Sequence, residues 1–84
     1  MTVQLTVRYF AAARAAASAE TETLRVESGT TVAGLVERLA ARGPELAKVL
    51  SRCSFLCDGM AVRDMASELS DGQTIDVLPP FAGG

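Results

Sequence analysis

The sequence contains no histidine, no tryptophan and only two cysteines among its 84 residues. Without histidine, the chain lacks the usual general base, the commonest metal ligand and every histidine-dependent triad. Cys53 and Cys57 do not form a Cys-x-x-Cys motif, and no further cysteine or histidine is present to complete a zinc site. We therefore interpret both as reduced, buried thiols that fill the core. We expect no bound metal, no bound cofactor and no catalysis by the chain alone.

Charge and hydropathy exclude further classes of function. The net charge is −2, and acidic and basic residues are interspersed, so the chain has no basic surface for nucleic acid or an anionic membrane. No apolar run approaches the ~18 residues of a membrane span, and no basic-then-apolar start indicates a signal peptide. We expect one small domain over residues 1–84 in the cytoplasm, with neither nucleic acid nor a membrane as a partner.

Alternation in the first part of the chain predicts two strands. The odd positions of residues 3–9 are apolar and the even ones are polar, which is typical of a half-buried strand whose odd positions face the core. Phe10 then lies on the opposite face. Residues 11–19 are mostly alanine without an apolar stripe, so they are predicted to form a loop with at most one helical turn. Residues 23–27 form the second predicted strand.

A helix is the most secure prediction in the middle of the chain. Apolar residues recur at i, i+3, i+4 and i+7, namely Val32, Leu35, Val36 and Leu39. Thr30 or Thr31 is placed to cap its first turn. Gly43 is expected to be the left-handed residue after this helix, and Pro44 to open a second, shorter helix.

The last part of the chain predicts a hairpin and a final strand. Asp58-Gly59 separates two apolar runs, 53–57 and 60–62, which is a strong hairpin signal. In the final strand, residues 74–78, Asp76 and Leu78 are expected to face away from the core. The order of elements predicts an α+β fold with a mixed sheet packed on one main helix.

The segment that follows the final strand, residues 79–84, is suited to enter another protein. Its two prolines end sheet pairing and stiffen the exit, and its last residues carry almost no side chain. Six residues reach roughly 20 Å. We therefore interpret residues 79–84 as a flexible tail that passes through a narrow channel into a partner's active site.

This order of elements, closed by Gly-Gly, resembles the ubiquitin-like β-grasp fold. It is most similar to the bacterial sulfur carriers of the MoaD/ThiS type, and above all to the MoaD family, the small subunit of molybdopterin synthase. The resemblance covers essentially the whole chain. The residues that carry it are Val7–Ala11, Arg14, Thr30-Thr31, Asp71-Gly72 and the ending 76–84, in which Leu-Pro-Pro-x-x-Gly-Gly is the specific part.

The resemblance implies a chemistry for the tail. Gly84, preceded by Gly83, would be adenylated by a ubiquitin-activating-like adenylyltransferase (MoeB-like), which uses ATP and Mg²⁺. A sulfur donor would then convert Gly84 into a thiocarboxylate. The large subunit of molybdopterin synthase (MoaE-like) would pass that sulfur to cyclic pyranopterin monophosphate in molybdenum cofactor biosynthesis.

Four apolar side chains at positions facing away from the core are predicted to form the surface that docks on these partners: Phe10, Leu56, Leu78 and Phe81. A β-bulge that shifts the alternation would instead place some of them in the core. Arg14 is expected at the rim of this surface by the family match alone.

Other functions use the same tail and remain open at this point. The chain could carry sulfur for cysteine, thiazole or tRNA thiolation. It could be a ubiquitin-like modifier joined to lysines of other proteins, or an interaction domain whose tail is inert.

Overall fold

The structure, a computed structural model, describes residues 1–80. Its elements are β1 (Thr2–Tyr9), α1 (Ala11–Ala17), β2 (Thr21–Glu27), α2 (Val32–Ala40), α3 (Pro44–Leu50), β3 (Ser54–Cys57), β4 (Met60–Ala61) and β5 (Thr74–Leu78). Over these residues the strands form one sheet of order β2-β1-β5-β3-β4. Strands β1 and β5 are parallel, and the other neighbours are antiparallel. The mixed sheet with its helices confirms the predicted α+β class.

Helix α2 covers the core face of the sheet, as its apolar stripe predicts. Val32, Leu35 and Leu39 are buried, and the backbone N–H of Gly34 donates to Thr31 Oγ1 at 3.1 Å, so Thr31 is the capping residue. The buried odd positions of β1 lie in the same hydrophobic cluster. This arrangement leaves the even positions of β1 on the opposite face of the sheet.

Helix α1 corrects the prediction of a loop in this region. Ala13 is fully buried, and Ala16 and Ala17 pack against the core. Such a short helix is marginal in isolation, and here contact with α3 and β5 stabilises it. The small side chains allow this close packing, and for the same reason they give no apolar stripe in the sequence.

Gly43 also differs from its prediction. Its φ is 168°, which is extended backbone, and it is the N-cap residue of α3 rather than a left-handed residue ending α2. The C-cap residue of α2 is Ala41, with a right-handed φ of −67°. Pro44 does open α3, as predicted, because its missing N–H has no partner within a first helical turn in any case.

The predicted hairpin is confirmed. Asp58 and Gly59 have φ values of +48° and +83°, the left-handed pair that a two-residue hairpin turn requires. The backbone N–H of Thr74 donates to Asp58 Oδ1 at 2.9 Å, which ties this turn to the start of β5.

Both cysteines are free and only half-buried, so the prediction that they are buried core thiols was wrong in degree. Their side chains pack against the core, and Cys53 Sγ donates to the carbonyl oxygen of Val49 at 3.2 Å. Desolvation raises the pKa of both thiols, and the charge of Asp58 raises the pKa of Cys57 further. The reactive thiolate is therefore disfavoured at both positions.

Replacing Cys53 and Cys57 together by alanine should lower the free energy of unfolding by about 1–2 kcal/mol. It should leave unchanged the sulfur loading that the family resemblance implies. The loss follows from the apolar contacts that the two side chains make at the edge of the core. Urea unfolding and intact mass after loading measure the two effects. A folded double variant that cannot be loaded would show that a thiol takes part.

Two further findings concern the described residues. Between Met1 and Pro80 no helix is long and apolar enough to cross a membrane. Over the same residues, no group of three or more histidine, cysteine, aspartate or glutamate side chains is arranged to hold a metal ion.

Candidate docking face

Three of the predicted docking residues share the sheet face opposite the helices. In the register, Leu56 pairs with Asp76 and Ser54 pairs with Leu78, so Leu56 and Leu78 lie two residues apart on neighbouring strands. The backbone N–H of Phe10 donates to the carbonyl of Val77 at 3.2 Å and continues the β1–β5 pairing. No bulge shifts the alternation along these paired residues, and the three side chains have the outward orientation that the sequence predicts.

We call Phe10, Leu56 and Leu78 the docking face. Phe10 is 38% exposed, and Leu56 and Leu78 are half-buried. A single exposed apolar side chain is ordinary, whereas an apolar group on neighbouring strands is the kind of surface that marks an interface. Phe81, the fourth predicted member, lies outside the described residues.

An ion pair that the sequence analysis missed lies within this face. Arg8 Nε donates to Asp76 Oδ1 at 2.6 Å, and Arg8 Nη2 donates to Asp76 Oδ2 at 2.9 Å. Asp76 faces away from the core as predicted, yet it is only 6% exposed. The Arg8 guanidinium carbon also lies 5.4 Å from the centroid of the Phe10 ring. The pair thus connects the centre of the sheet to an exposed aromatic residue of the docking face.

Electrostatics favour the charged form of Arg8. The hydrogen bond and the charge of Asp76 raise the pKa of Arg8 above its already high value. The forked, two-bond geometry is the one in which a guanidinium best matches a carboxylate. The only sequence signal was the presence of opposite charges at outward positions of the first and last strands.

Arg14 lies beside the docking face, on a small cleft of about 220 Å³ that Arg8, Phe10, Arg14 and Glu20 help to line. Its side chain is 57% exposed, and its Nη1 lies 3.9 Å from Glu20 Oε1. An exposed pair at this distance stabilises the fold little. The structure therefore leaves the Arg14 side chain accessible next to Phe10, where a rim contact was predicted.

Pro79 and Pro80, which we call the root of the tail, follow a strand in the middle of the sheet. Strand β5 lies between β1 and β3, and it passes directly into Pro79, which is half-buried, and Pro80, which is exposed. Pro79 and Pro80 line a shallow cleft with Val49 of α3. The folded body thus fixes where the tail begins, directly after Leu78 of the docking face and against α3. Gly83 and Gly84, the predicted reactive end, lie outside the described residues.

A mixed sheet packed on a main helix, with a central last strand that leads into the C-terminal segment, defines a ubiquitin-like β-grasp domain. The ThiS family profile matches residues 7–84. The chain belongs to the ThiS family.

Individual relatives agree with this assignment. The chain is 31% identical over 83 residues to the molybdopterin synthase sulfur carrier subunit of Chlamydomonas reinhardtii, covering 98% of this chain and 100% of that protein. The solution structure of the Haloferax volcanii HVO 2177 protein superposes with a TM-score of 0.87 at 32% identity, covering 99% and 88% of the two chains. The putative molybdopterin converting factor, subunit 1, of Pyrococcus furiosus gives 0.85 at 25% identity, covering 94% and 99%. The chain is therefore a sulfur carrier of the MoaD/ThiS type and a homologue of the molybdopterin synthase small subunit.

Two other structures share the fold alone. Small archaeal modifier protein 1 of Haloferax volcanii has a TM-score of 0.82 at 21% identity, with 96% and 99% of the chains covered. A complex of subunits 1 and 2 of the molybdopterin-converting factor of Helicobacter pylori contains a chain with a TM-score of 0.72 at 22% identity, with 98% and 100% covered. One fold thus occurs both in a protein named a modifier and in a subunit of a two-part assembly.

Proposed function

We propose that this chain is the small, sulfur-donating subunit of a molybdopterin synthase. The observation that carries the proposal is the position of the tail root: β5 runs through the docking face and then directly into residues 79–84. When a partner covers Phe10, Leu56 and Leu78, this contact fixes the point at which the tail enters the partner. The identity to the Chlamydomonas reinhardtii carrier over nearly the whole chain supports the choice of pathway.

Loading begins at the Gly84 carboxylate, which is a poor acyl donor because its negative charge and resonance repel nucleophiles. A ubiquitin-activating-like adenylyltransferase supplies ATP and Mg²⁺ and forms a Gly84 acyl-adenylate with release of pyrophosphate. A donor at the oxidation level of sulfide then attacks the acyl carbon, and AMP leaves. The product is the Gly84 thiocarboxylate, a nucleophile at sulfur that stays covalently bound to the carrier.

Transfer takes place in the large subunit. The thiocarboxylate sulfur attacks a side-chain carbon of cyclic pyranopterin monophosphate and displaces an oxygen substituent from that carbon, and water then cleaves the resulting acyl–sulfur bond. The sulfur stays on the pterin and the tail returns to its carboxylate. The carrier contributes a positioned nucleophile, while general bases and charge stabilisation belong to the partner, in keeping with a sequence that contains no histidine.

The fold shared with small archaeal modifier protein 1 makes protein modification the second candidate. A modifier would use the same acyl-adenylate, but a lysine amine would attack it and form a stable amide. Carriers for cysteine, thiazole or tRNA thiolation would form the same thiocarboxylate and differ only in the acceptor. These candidate functions therefore differ in what happens to the tail after it has been activated.

Intact mass after incubation with ATP, the adenylyltransferase and a sulfur donor separates these fates. We expect a gain that matches one oxygen replaced by sulfur, and a return to the starting mass when the large subunit and cyclic pyranopterin monophosphate are added. Stable adducts on lysines of other proteins would indicate a modifier. If the sulfur is transferred only to a cysteine-pathway or tRNA-modifying enzyme, the chain is a sulfur carrier but the molybdopterin assignment is wrong.

A further inference from the structure

An ion pair in the middle of an apolar docking face is a feature that docking by apolar contact alone does not need. Arg8 and Asp76 pair across β1 and β5, and Asp76 pairs in turn with Leu56 across β5 and β3. Phe10 lies over the same guanidinium. A partner that covers the docking face therefore covers Arg8 as well.

The two members of the pair differ in exposure. The Asp76 side chain is 9% exposed and that of Arg8 is 49% exposed. A guanidinium has five N–H donors, and two of those of Arg8 are used by Asp76. Among residues 1–80 no acceptor is placed for the other N–H groups of Arg8. The Arg8 side chain is exposed enough for water to reach these donors, and a docked partner would exclude that water.

Covering these donors with an apolar surface would weaken binding. A buried donor without an acceptor costs about 1–3 kcal/mol, which is roughly 5- to 150-fold in affinity. A partner surface with an oxygen acceptor opposite Arg8 avoids this loss. Arg8 therefore discriminates between two partner surfaces that are equally apolar.

The local charge determines which acceptor fits. The charge of Arg8 is balanced by Asp76, and Arg14 on the adjacent cleft is balanced by Glu20. A carboxylate brought into this neutral environment would be desolvated without an uncompensated cation to meet it. A backbone carbonyl or a side-chain amide oxygen meets the donors without introducing a charge.

We propose that Arg8, held in place by Asp76, is a specificity-determining residue of the docking face and takes a neutral oxygen acceptor from the partner. The proposal rests on the proposed function, since it assumes that this face docks on the large subunit. Asp76 acts as a positioning residue: it fixes the plane of the guanidinium and does not itself meet the partner.

The test replaces both members of the pair with leucine, in the variant Arg8→Leu/Asp76→Leu. The net charge is unchanged and the face becomes more apolar. Replacing an ion pair whose carboxylate is buried with apolar residues of similar volume is often neutral for stability. We expect binding to the large subunit, measured by calorimetry, to weaken at least about tenfold, because the partner's acceptor loses its donor. A merely structural pair predicts unchanged or tighter binding, and that result would overturn the proposal.

The matched control is Arg25→Leu/Glu27→Leu on strand β2. It removes one charge of each sign and adds two leucines on the same sheet face. Arg25 pairs with Gln4, which is four residues from Arg8, or roughly 13 Å along β1. We expect this control to bind as the wild-type chain does. An equal loss of affinity in the control would show that the added surface leucines cause the effect, and it would overturn the proposal.

If the leucine pair lowers the melting temperature too far for binding studies, Arg8→Gln/Asp76→Asn keeps polar atoms at both positions but loses the forked geometry. We expect it also to bind more weakly than the wild-type chain, and unchanged binding would again contradict the proposal. Salt tests the neutral acceptor, since the Debye length falls from about 10 Å at 0.1 M to about 3 Å at 1 M. The affinity ratio between wild-type and leucine-pair proteins should hold across this range, and a ratio that collapses toward one would identify a partner carboxylate instead.

These results are distinguishable from failure of the proposed function. A wild-type chain that does not bind the large subunit at all would reject the molybdopterin synthase assignment. A wild-type chain that binds, and whose affinity depends on Phe10 and Leu56 but not on Arg8, would reject only the role of Arg8.

Discussion

Adding one residue after Gly84 should abolish sulfur transfer while leaving the fold and the affinity for the large subunit unchanged. The docked body fixes where the tail begins, so the length of residues 79–84 determines where the acyl carbon lies. Reacting atoms must approach to about 3–3.5 Å, and one residue moves the terminus by roughly 3.5 Å. Removing Gly84 should have the same effect in the opposite direction. Single-turnover transfer and binding, measured on the same protein, check the two parts of this expectation.

Two control variants separate tail length from tail composition. Ala82→Gly keeps the length and should retain most of the transfer activity. A variant that lacks Ala82 and carries one extra glycine at its end restores the original length and should recover transfer. If the lengthened tail transfers sulfur as well as the wild-type tail does, the docked body does not set the position of the acyl carbon.

A charge placed on the docking face should weaken binding to the large subunit by more than about 1 kcal/mol, and often by much more at a central anchor. Leu56→Arg and Phe10→Asp are the two variants, and both positions lie on the sheet face opposite the helices. The introduced charge would have to be desolvated against an apolar partner surface, and the nearby charges of Arg8 and Asp76 already balance each other. Calorimetric titration of the large subunit measures the loss.

Thr23→Arg is the matched control for Leu56→Arg. Thr23 is exposed on the same sheet face of β2, which β1 and β5 separate from β3. Three strand spacings place it at least roughly 14 Å from Leu56. It should bind as the wild-type chain does. Loss of the folded monomer in the Leu56 or Phe10 variant, seen in its circular dichroism spectrum, would show instead that these side chains support the core.

Elements with a local signature could be predicted from the sequence. The apolar stripe of α2 and its threonine cap lie within a few residues of each other in sequence. The Asp58-Gly59 turn requires left-handed backbone, which few residue pairs adopt readily. Helix α1 has no such signature. Its buried residues are alanines, which pack closely because they are small but form no apolar stripe in the sequence. Its stability comes from α3 and β5, which a local pattern does not contain.

The candidate site likewise contains one feature that a local sequence pattern predicts and one that it does not. Alternation alone places Phe10, Leu56 and Leu78 on the outer face, because a strand has a period of two residues. The Arg8–Asp76 pair depends on the register of two parallel strands whose residues are 68 positions apart in sequence. A period-two pattern gives the face of each residue but not its neighbour on the next strand. The burial of Asp76 was missed for this reason.

We propose that the C-terminal carboxylate is the reactive group of this protein. The most direct test of this proposal is intact mass spectrometry of the chain, first after loading with ATP, the adenylyltransferase and a sulfur donor, and then after addition of the large subunit and cyclic pyranopterin monophosphate. We predict a gain equal to the exchange of one oxygen for one sulfur, mapped to the peptide that ends in Gly84, and its loss as the pterin gains sulfur. A chain whose mass does not change during loading, or whose sulfur maps to Cys53 or Cys57, would contradict the account.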